Sequence, residues 1–233
     1  MYSMKKNKNG GFTLLELLIV IAIIAILSVA LVIVLNPAET LKKARDAQRI
    51  SDLSTLKTAI GLYLTSTATP YLGGLATNNT CRVTPGGTWT GTNRIFYSLP
   101  SATGITDATL DTGTTSAPAS SQAATPSLTS GSGWIPINFD SLTSIGGSPI
   151  SNIPVDPTNA IASGDSISSI TSASLMYRYA CSQVPLTYEI DATLESAAYT
   201  SGTDNKEAND GGNNLNFYET GTNLLILGAG TDF

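Results

Sequence analysis

One acidic side chain, Glu16, lies inside an apolar run that extends from Phe12 to Leu35. The run has 24 residues, and only Thr13, Glu16 and Ser28 interrupt its apolar character. As an α-helix it is about 36 Å long, which exceeds the thickness of a bilayer hydrocarbon core, about 30 Å. The sequence therefore predicts a helix that enters a membrane at some stage.

Glu16 needs a cationic partner in such a helix, because a carboxylate in the hydrocarbon core costs roughly 2.5 to 3.5 kcal/mol on insertion scales. No Lys or Arg lies between Phe12 and Leu41. Cleavage of the chain between Gly11 and Phe12 creates an α-amino group, which has an ordinary pKa of about 7.7 to 8.0. Residues 12 and 16 share one helix face, so this amine is the partner that the sequence predicts.

Residues 8–20 read Lys-Asn-Gly-Gly-Phe-Thr-Leu-Leu-Glu-Leu-Leu-Ile-Val. This segment closely resembles the class III signal of type IV pilins and of the pseudopilins of type II secretion and related machines. The resemblance implies that a prepilin peptidase removes residues 1–11 after Gly11 and that Phe12 is then N-methylated. It also implies that Glu16 pairs with the N-terminal amine of a neighbouring subunit in a helical filament, with Thr13 part of the same assembly motif.

The resemblance further implies a single-pass protein of the cytoplasmic membrane, with its leader inside and its head outside. Its partners are the prepilin peptidase and N-methyltransferase, an inner-membrane assembly platform and other copies of itself. After assembly it forms a cell-surface or extracellular filament. A secretory signal peptide is a poorer match, because no A-x-A-like cleavage site follows Leu35.

Two other functions stay open at this point. A low-copy minor pilin or tip adhesin has the same N-terminus, whereas its head binds a surface or a ligand. A simple membrane-anchored binding protein keeps its leader and has no use for Glu16. Abundance and N-terminal processing distinguish the three classes of protein.

The remaining sequence predicts an α+β fold, in which a long N-terminal helix packs on an antiparallel β-sheet head with long loops. After the leader come the filament-core helix (12–35), an amphipathic helix (36–64) and a β-rich head (65–233) with a low-complexity insertion at about 101–133. Asn36 and Pro37 predict a kink, because Pro removes a backbone donor and Asn caps helices. Apolar residues every three or four positions from Leu41 to Leu64 predict one face that covers a sheet. The opposite face, which carries Asp46 and Arg49, is predicted to be solvated; contact with lipid headgroups or with an acidic neighbour is the alternative.

Alternating apolar and polar residues predict a β-hairpin from two strands, Leu175–Cys181 and Leu186–Leu194. The same alternation places Glu189 and Asp191 on a solvent-exposed face. Three further segments have weaker strand patterns: Arg94–Leu99, Trp134–Phe139 and Asn223–Leu227.

The composition excludes several functions. From residue 65 onward the chain has four basic and thirteen acidic side chains, a balance of −9, and no basic cluster for nucleic acid. The chain has no histidine, which excludes the usual Ser-His-Asp and Cys-His catalytic arrangements and histidine metal sites. We therefore expect neither an enzyme nor a nucleic-acid-binding protein.

Two smaller features concern cross-links and ions. Cys81 and Cys181 are the two cysteines, and a disulfide between them suits an exported protein; unpaired thiols are the alternative. No cofactor is required, but residues 204–213 are rich in oxygen ligands that suit Ca²⁺. Asp204 and Asp210 are the candidate ligands, and a solvated loop is the alternative. Pseudopilins carry a calcium loop after a turn that residues 154–159 resemble.

Overall fold

The structure, a computed structural model, describes residues 11–74, 76–90, 92–99, 119–121, 123, 125–159 and 174–228. The chain divides into two compact units, one that ends at Leu41 and one that begins at Lys42. The helices are α1 (Leu14–Leu35), α2 (Pro37–Ser66) and α3 (Ala197–Thr200), and the strands are β1 (Arg94–Tyr97), β2 (Ala119–Ser121), β3 (Tyr177–Ser182), β4 (Thr187–Ala192) and β5 (Tyr218–Gly221).

Asn36 separates α1 from α2. Its backbone is left-handed, with φ 37° and ψ 74°, a conformation that Asn tolerates better than most residues. Its side-chain oxygen accepts a hydrogen bond from the backbone N–H of Glu39 at 3.4 Å. Pro37 occupies the first position of α2, where a backbone N–H is not needed. The predicted kink is thus a one-residue break in the helix.

The head contains a five-stranded sheet with the order β2-β1-β3-β4-β5. The pairs β1–β3, β3–β4 and β4–β5 are antiparallel, and β2 runs parallel to β1. In the central hairpin Tyr177 pairs with Ala192 and Ser182 pairs with Thr187, which confirms the predicted hairpin. This arrangement, together with the long N-terminal helix, confirms the α+β fold class.

Two strand predictions are wrong. Residues 134–139 are not a strand, because their side chains enter the core almost consecutively and the segment makes only a bridge between Ser130 and Asn138. A 3-10 helix, Phe139–Ser141, follows it. Residues 223–227 are not a strand either, because the backbone N–H groups of Ile226 and Leu227 bind the carboxylate of Glu189 instead of a neighbouring strand.

Two strands were missed by the sequence patterns. The edge strand β5 lies just before the apolar segment that the pattern favoured. Strand β2 falls inside the predicted insertion at residues 101–133, where the composition indicated only loop. The part of that insertion from 101 to 118 lies outside the described residues.

One face of the sheet packs against α2, as predicted. Tyr177, Tyr179 and Ile190 from the central hairpin are fully buried in one cluster with side chains of α2. Burying a large apolar side chain contributes about 1.5 to 3 kcal/mol, so this face supplies much of the head's stability. The α2 residues of this cluster are Leu53, Leu56, Ala59, Ile60 and Tyr63.

The opposite face of the sheet carries charged side chains, and it is buried rather than solvated. Glu189 and Asp191 are 0% and 1% exposed, which overturns the prediction that they face solvent. Arg178 donates to Asp191 from its Nε at 2.9 Å, and the Phe217 ring lies 4.1 Å from its guanidinium carbon. The segment that follows α3 therefore covers this face, which local periodicity cannot reveal.

A carboxyl pair lies on the same covered face. Glu189 on β4 and Glu219 on β5 are both buried, with their carboxyl groups within hydrogen-bonding reach of each other. Burial raises the pKa of Glu189, and burial next to Glu189 raises the pKa of Glu219 to about 10. One proton between the two groups converts a repulsive contact into a hydrogen bond.

A buried ion cluster attaches α2 to two distant loops. The guanidinium of Arg49, which is 0% exposed, contacts Asp46 at 2.8 Å, Asp156 at 2.7 Å and Glu195 at 2.6 Å. Arg45 also binds Glu195, at 2.7 Å, and its hydrogen bonds lower the pKa of Glu195 to about 2. The prediction of a solvated polar face is therefore wrong for Asp46 and Arg49, because the loops around residues 156 and 195 cover them.

The disulfide between Cys81 and Cys181 is present, and both cysteines are fully buried. It spans 100 positions in the sequence. In the chain-entropy model a loop of this length contributes roughly 4 to 5 kcal/mol. The bridge ties the segment that precedes β1 to β3.

Replacing Arg49 tests the ion cluster. Arg49→Met should lower the free energy of unfolding by about 3 to 5 kcal/mol, because Asp46 and Asp156 stay buried without their guanidinium partner. Arg45→Met is the matched control: the Arg45 side chain is 36% exposed, so its loss should lower the free energy of unfolding much less than the loss of Arg49. Urea unfolding of the detergent-solubilised chain, followed by tryptophan fluorescence, measures both. Equal losses contradict this assignment.

Candidate processing and assembly site

The peptide bond between Gly11 and Phe12 lies in exposed, non-helical chain. Residues 11–13 precede the first residue of α1, and the Phe12 side chain is 91% exposed. A Cβ placed on Gly11 meets no other described atom within 4 Å. Packing within the described chain therefore does not explain why glycine stands here, and cleavage at this bond stays a prediction.

Thr13 and Glu16 form a reciprocal capping box at the start of α1. The Thr13 hydroxyl accepts a hydrogen bond from the Glu16 backbone N–H at 3.2 Å. In return, Oε2 of Glu16 accepts hydrogen bonds from the backbone N–H and from the hydroxyl of Thr13, each at 2.8 Å. These contacts begin the helix at residue 14, because they satisfy N–H groups that have no partner inside the helix.

The capping box gives Glu16 a partner that the sequence analysis missed. The spacing Thr-x-x-Glu is a known capping signature, so the signal was available in residues 13–16. In the first turn, the carboxylate also lies at the positive end of the helix dipole. The pairing of Glu16 with the amine of Phe12 concerns the cleaved chain and stays a prediction.

The whole surface of α1 is exposed. Each of its 22 residues is exposed within the described part of the chain, and nearly all are apolar. The Ser28 hydroxyl donates to the carbonyl of Ile24 at 2.7 Å, so it is satisfied within the helix. By length and composition this helix can cross a membrane. An apolar surface of this extent requires lipid or other helices as its surroundings.

The two candidate calcium ligands have other partners. Asp204 contacts the ammonium group of Lys206 at 2.6 Å. Asp210 accepts hydrogen bonds from the backbone N–H groups of Gly212 at 2.8 Å and of Glu219 at 2.6 Å. The described residues contain no group of three or more His, Cys, Asp or Glu side chains that could hold a metal ion. These partners compete with a cation, and calcium binding stays a prediction.

The turn that resembles the one before a pseudopilin calcium loop has a structural role. Asp156, within residues 154–159, accepts hydrogen bonds from the backbone N–H groups of Thr158 at 2.8 Å and Asn159 at 3.2 Å. Its other contacts go to Arg49 in the buried ion cluster. The turn therefore fixes a loop to α2.

Comparison with known proteins assigns the N-terminal segment to one family model. Residues 6–32 match the family model of the prokaryotic N-terminal methylation motif, the class III prepilin signal of type IV pilins and pseudopilins. No curated protein and no solved structure is significantly similar to the chain. The matched segment includes the Gly11–Phe12 bond, the capping box and most of α1, and such a motif is typical of a structural protein.

Replacing Thr13 tests the capping box. Thr13→Val keeps the shape of the side chain but removes the hydroxyl, so it should weaken the first turn of α1 by about 1 kcal/mol. We expect the Glu16 amide to exchange about fivefold faster in detergent micelles, as NMR can measure. Thr13→Ser retains the hydroxyl and should keep the exchange rate of the original protein. Equal rates in the two variants contradict the capping role.

Proposed function

We propose that the chain, which carries the prokaryotic N-terminal methylation motif at residues 6–32, is a structural subunit of a type IV pilus-like filament. In this proposal a prepilin peptidase cuts after Gly11, and Phe12 becomes the methylated N-terminus. Before assembly α1 spans the cytoplasmic membrane with the head outside. The observation that carries the proposal is the combination of this motif with an apolar helix that is exposed along its whole length.

Assembly moves α1 from lipid into a bundle of identical helices. Lipid tails are as apolar as the helix surface, so the hydrophobic effect does not drive this step; packing and polar contacts do. Glu16 is an acidic group in an otherwise apolar surface, and a neighbouring amine is the natural partner for it. Pairing between Glu16 of one subunit and the Phe12 amine of the next neutralises both charges and fixes the register of the helices.

The capping box prepares Glu16 for this role. Thr13 holds Oε2 of the carboxylate at the start of the helix, so the group is oriented before a second subunit arrives. A fixed carboxylate loses less side-chain entropy when it forms a new ion pair. The amine that cleavage creates on Phe12 lies next to Thr13 in the chain. The same short segment, residues 12–16, therefore supplies the amine in one subunit and the carboxylate in its neighbour.

The break at Asn36 supports a further step of assembly. Pro37 cannot donate to the carbonyl of Ile33, so the helix is already short of one hydrogen bond here. Residues 31–38 are therefore the segment that we expect to extend when the filament forms. An unbroken helix through Asn36 in a filament density map contradicts this expectation.

A low-copy minor pilin or tip adhesin uses the same processing and the same helix, so it is the second candidate. The head of about 168 residues leaves room for a binding surface. The two roles differ in stoichiometry, because a major subunit forms most of the filament mass. A simple membrane-anchored binding protein keeps residues 1–11. The platform, peptidase and methyltransferase are the partners in either filament role.

Replacing Glu16 tests the assembly role. Glu16→Ala and Glu16→Gln should both leave membrane insertion intact and should both reduce filament yield strongly, because neither side chain can neutralise an amine. Filaments sheared from cells and quantified by immunoblot, with total membrane protein as reference, give the measurement.

Ser28→Ala is the matched control, since it removes a polar group from the same helix that is already satisfied by Ile24. Filament yield should then be normal. Normal yield with Glu16→Gln shows that the hydrogen bonds to Thr13 suffice, and it contradicts the ion pair.

A further inference from the structure

Residues 224–228, here called the strap, cover a second apolar cluster in the head. This cluster lies apart from the one that packs on α2. Ile226 and Leu227 of the strap are 0% and 2% exposed. The side chains beneath them are Trp89, Ile95, Tyr97, Leu99, Met176 and Ala180.

The backbone of the strap is held mainly by side chains. Oε2 of Glu189 accepts hydrogen bonds from the N–H groups of Ile226 at 2.7 Å and Leu227 at 2.8 Å. The guanidinium of Arg82 donates to the carbonyl of Ile226. The Gly86 N–H also donates to the carbonyl of Leu225 at 2.9 Å, and the Asn214 side-chain amide donates to the carbonyl of Gly228 at 2.7 Å. Two buried charged side chains thus bind the backbone of one residue, Ile226, at its N–H and at its carbonyl.

Several polar groups beneath the strap are poorly satisfied. Nε of Arg82 and Nε1 of Trp89 have no hydrogen-bond partner among the described residues. A buried donor without an acceptor keeps its full desolvation cost, and opening to water removes that cost. Glu189 also faces Glu219, so any second negative charge on this pair repels the first. These terms lower the free energy that is needed to lift the strap.

The floor beneath the strap is attached much more firmly. The Arg82 N–H donates to the carbonyl of Cys181 at 2.8 Å, next to the disulfide between Cys81 and Cys181. Strands β3 and β4 pair over their full lengths, from Tyr177 with Ala192 to Ser182 with Thr187. The strap can therefore leave while the sheet and the segment that carries Arg82 stay in place.

We propose that the strap opens as a local unit on a folded head, and that the Glu189 carboxylate is the latch that closes it. Local opening of this kind is typical of segments that are held by few contacts while the rest of the domain stays folded. Opening uncovers an apolar groove floored by Trp89 and Tyr97. The strap is thus a conformational device of the head, distinct from the assembly surface on α1.

Hydrogen exchange of the full chain in detergent, at increasing low concentrations of urea, tests local opening. The amides of Ile226 and Leu227 should exchange through a local opening that exposes little surface. Their exchange rates should therefore be nearly independent of urea. The amides of β3 and β4 should exchange through unfolding of the whole head, with a steep dependence on urea. The same steep dependence in both regions overturns the proposal.

Variants at Glu189 test the latch. Glu189→Ala removes the acceptor, so exchange at Ile226 and Leu227 should become about tenfold faster, the loss expected for hydrogen bonds to a charged group. Glu189→Gln keeps an acceptor oxygen and gains an N–H for Glu219, so exchange should stay near the original rate. In Glu189→Ala, exchange of the β3 amides should change much less than that of the strap.

Arg82→Met tests the opening of the strap if Glu189→Ala does not fold. Arg82→Met removes the other charged contact to Ile226 and should also speed exchange in the strap. In a Trp134→Phe background, Trp89 is the remaining tryptophan of the chain, and acrylamide should quench it more in Arg82→Met. Unchanged quenching and unchanged strap exchange in the folded variants overturn the proposal.

Discussion

The apolar surface of α1 is the constraint on which the other features depend. Its 22 residues are exposed within the described chain, so α1 needs surroundings that its own chain does not supply. A bilayer provides them, and so does a bundle of similar helices. In the proposed filament Glu16 discriminates between arrangements, because a misaligned neighbour leaves its negative charge without a positive charge beside it. An apolar helix with one placed carboxylate therefore suits both storage in a membrane and ordered assembly.

The head combines two differently built layers around one sheet. On the side of α2 the sheet buries aromatic and aliphatic side chains, which supply stability without much directional preference. The other side of the sheet buries four charged side chains, Arg178, Asp191, Glu189 and Glu219. Their hydrogen bonds permit few alternative packing arrangements. The Arg49 cluster adds the same kind of specificity at α2, where it fixes the loops around residues 156 and 195. Burying these ions costs desolvation free energy, and we attribute their presence to the way they fix the loops.

The sequence predicted the features that depend on local spacing. The apolar run located α1, periodicity located α2 and the central hairpin, and the cysteine pair predicted the disulfide. The spacing of Thr13 and Glu16 also matches the signature of a capping box. The charge of Glu16, however, predicted only the Phe12 amine as its partner. The methylation motif lies wholly within one short segment, which is why sequence alone identified it.

The errors arose where a distant segment decides the environment of a side chain. Glu189 and Asp191 alternate with apolar residues as an exposed face does, but later segments around Phe217 and Ile226 cover them. Arg49 lies on the polar face of α2, but loops more than 100 positions away in the chain bury it. Ile226 and Leu227 have a strand-like composition, whereas their N–H groups bind a carboxylate. In each case the missing information was tertiary contact, which local patterns do not contain.

The mass of the N-terminal peptide of the native protein tests the central claim most directly. The account predicts a chain that begins at Phe12 with one added methyl group on its α-amine, because the peptidase cuts after Gly11. A native chain that begins at Met1 contradicts the account. Glu16 then has no free amine within its own segment, and α1 is a plain membrane anchor.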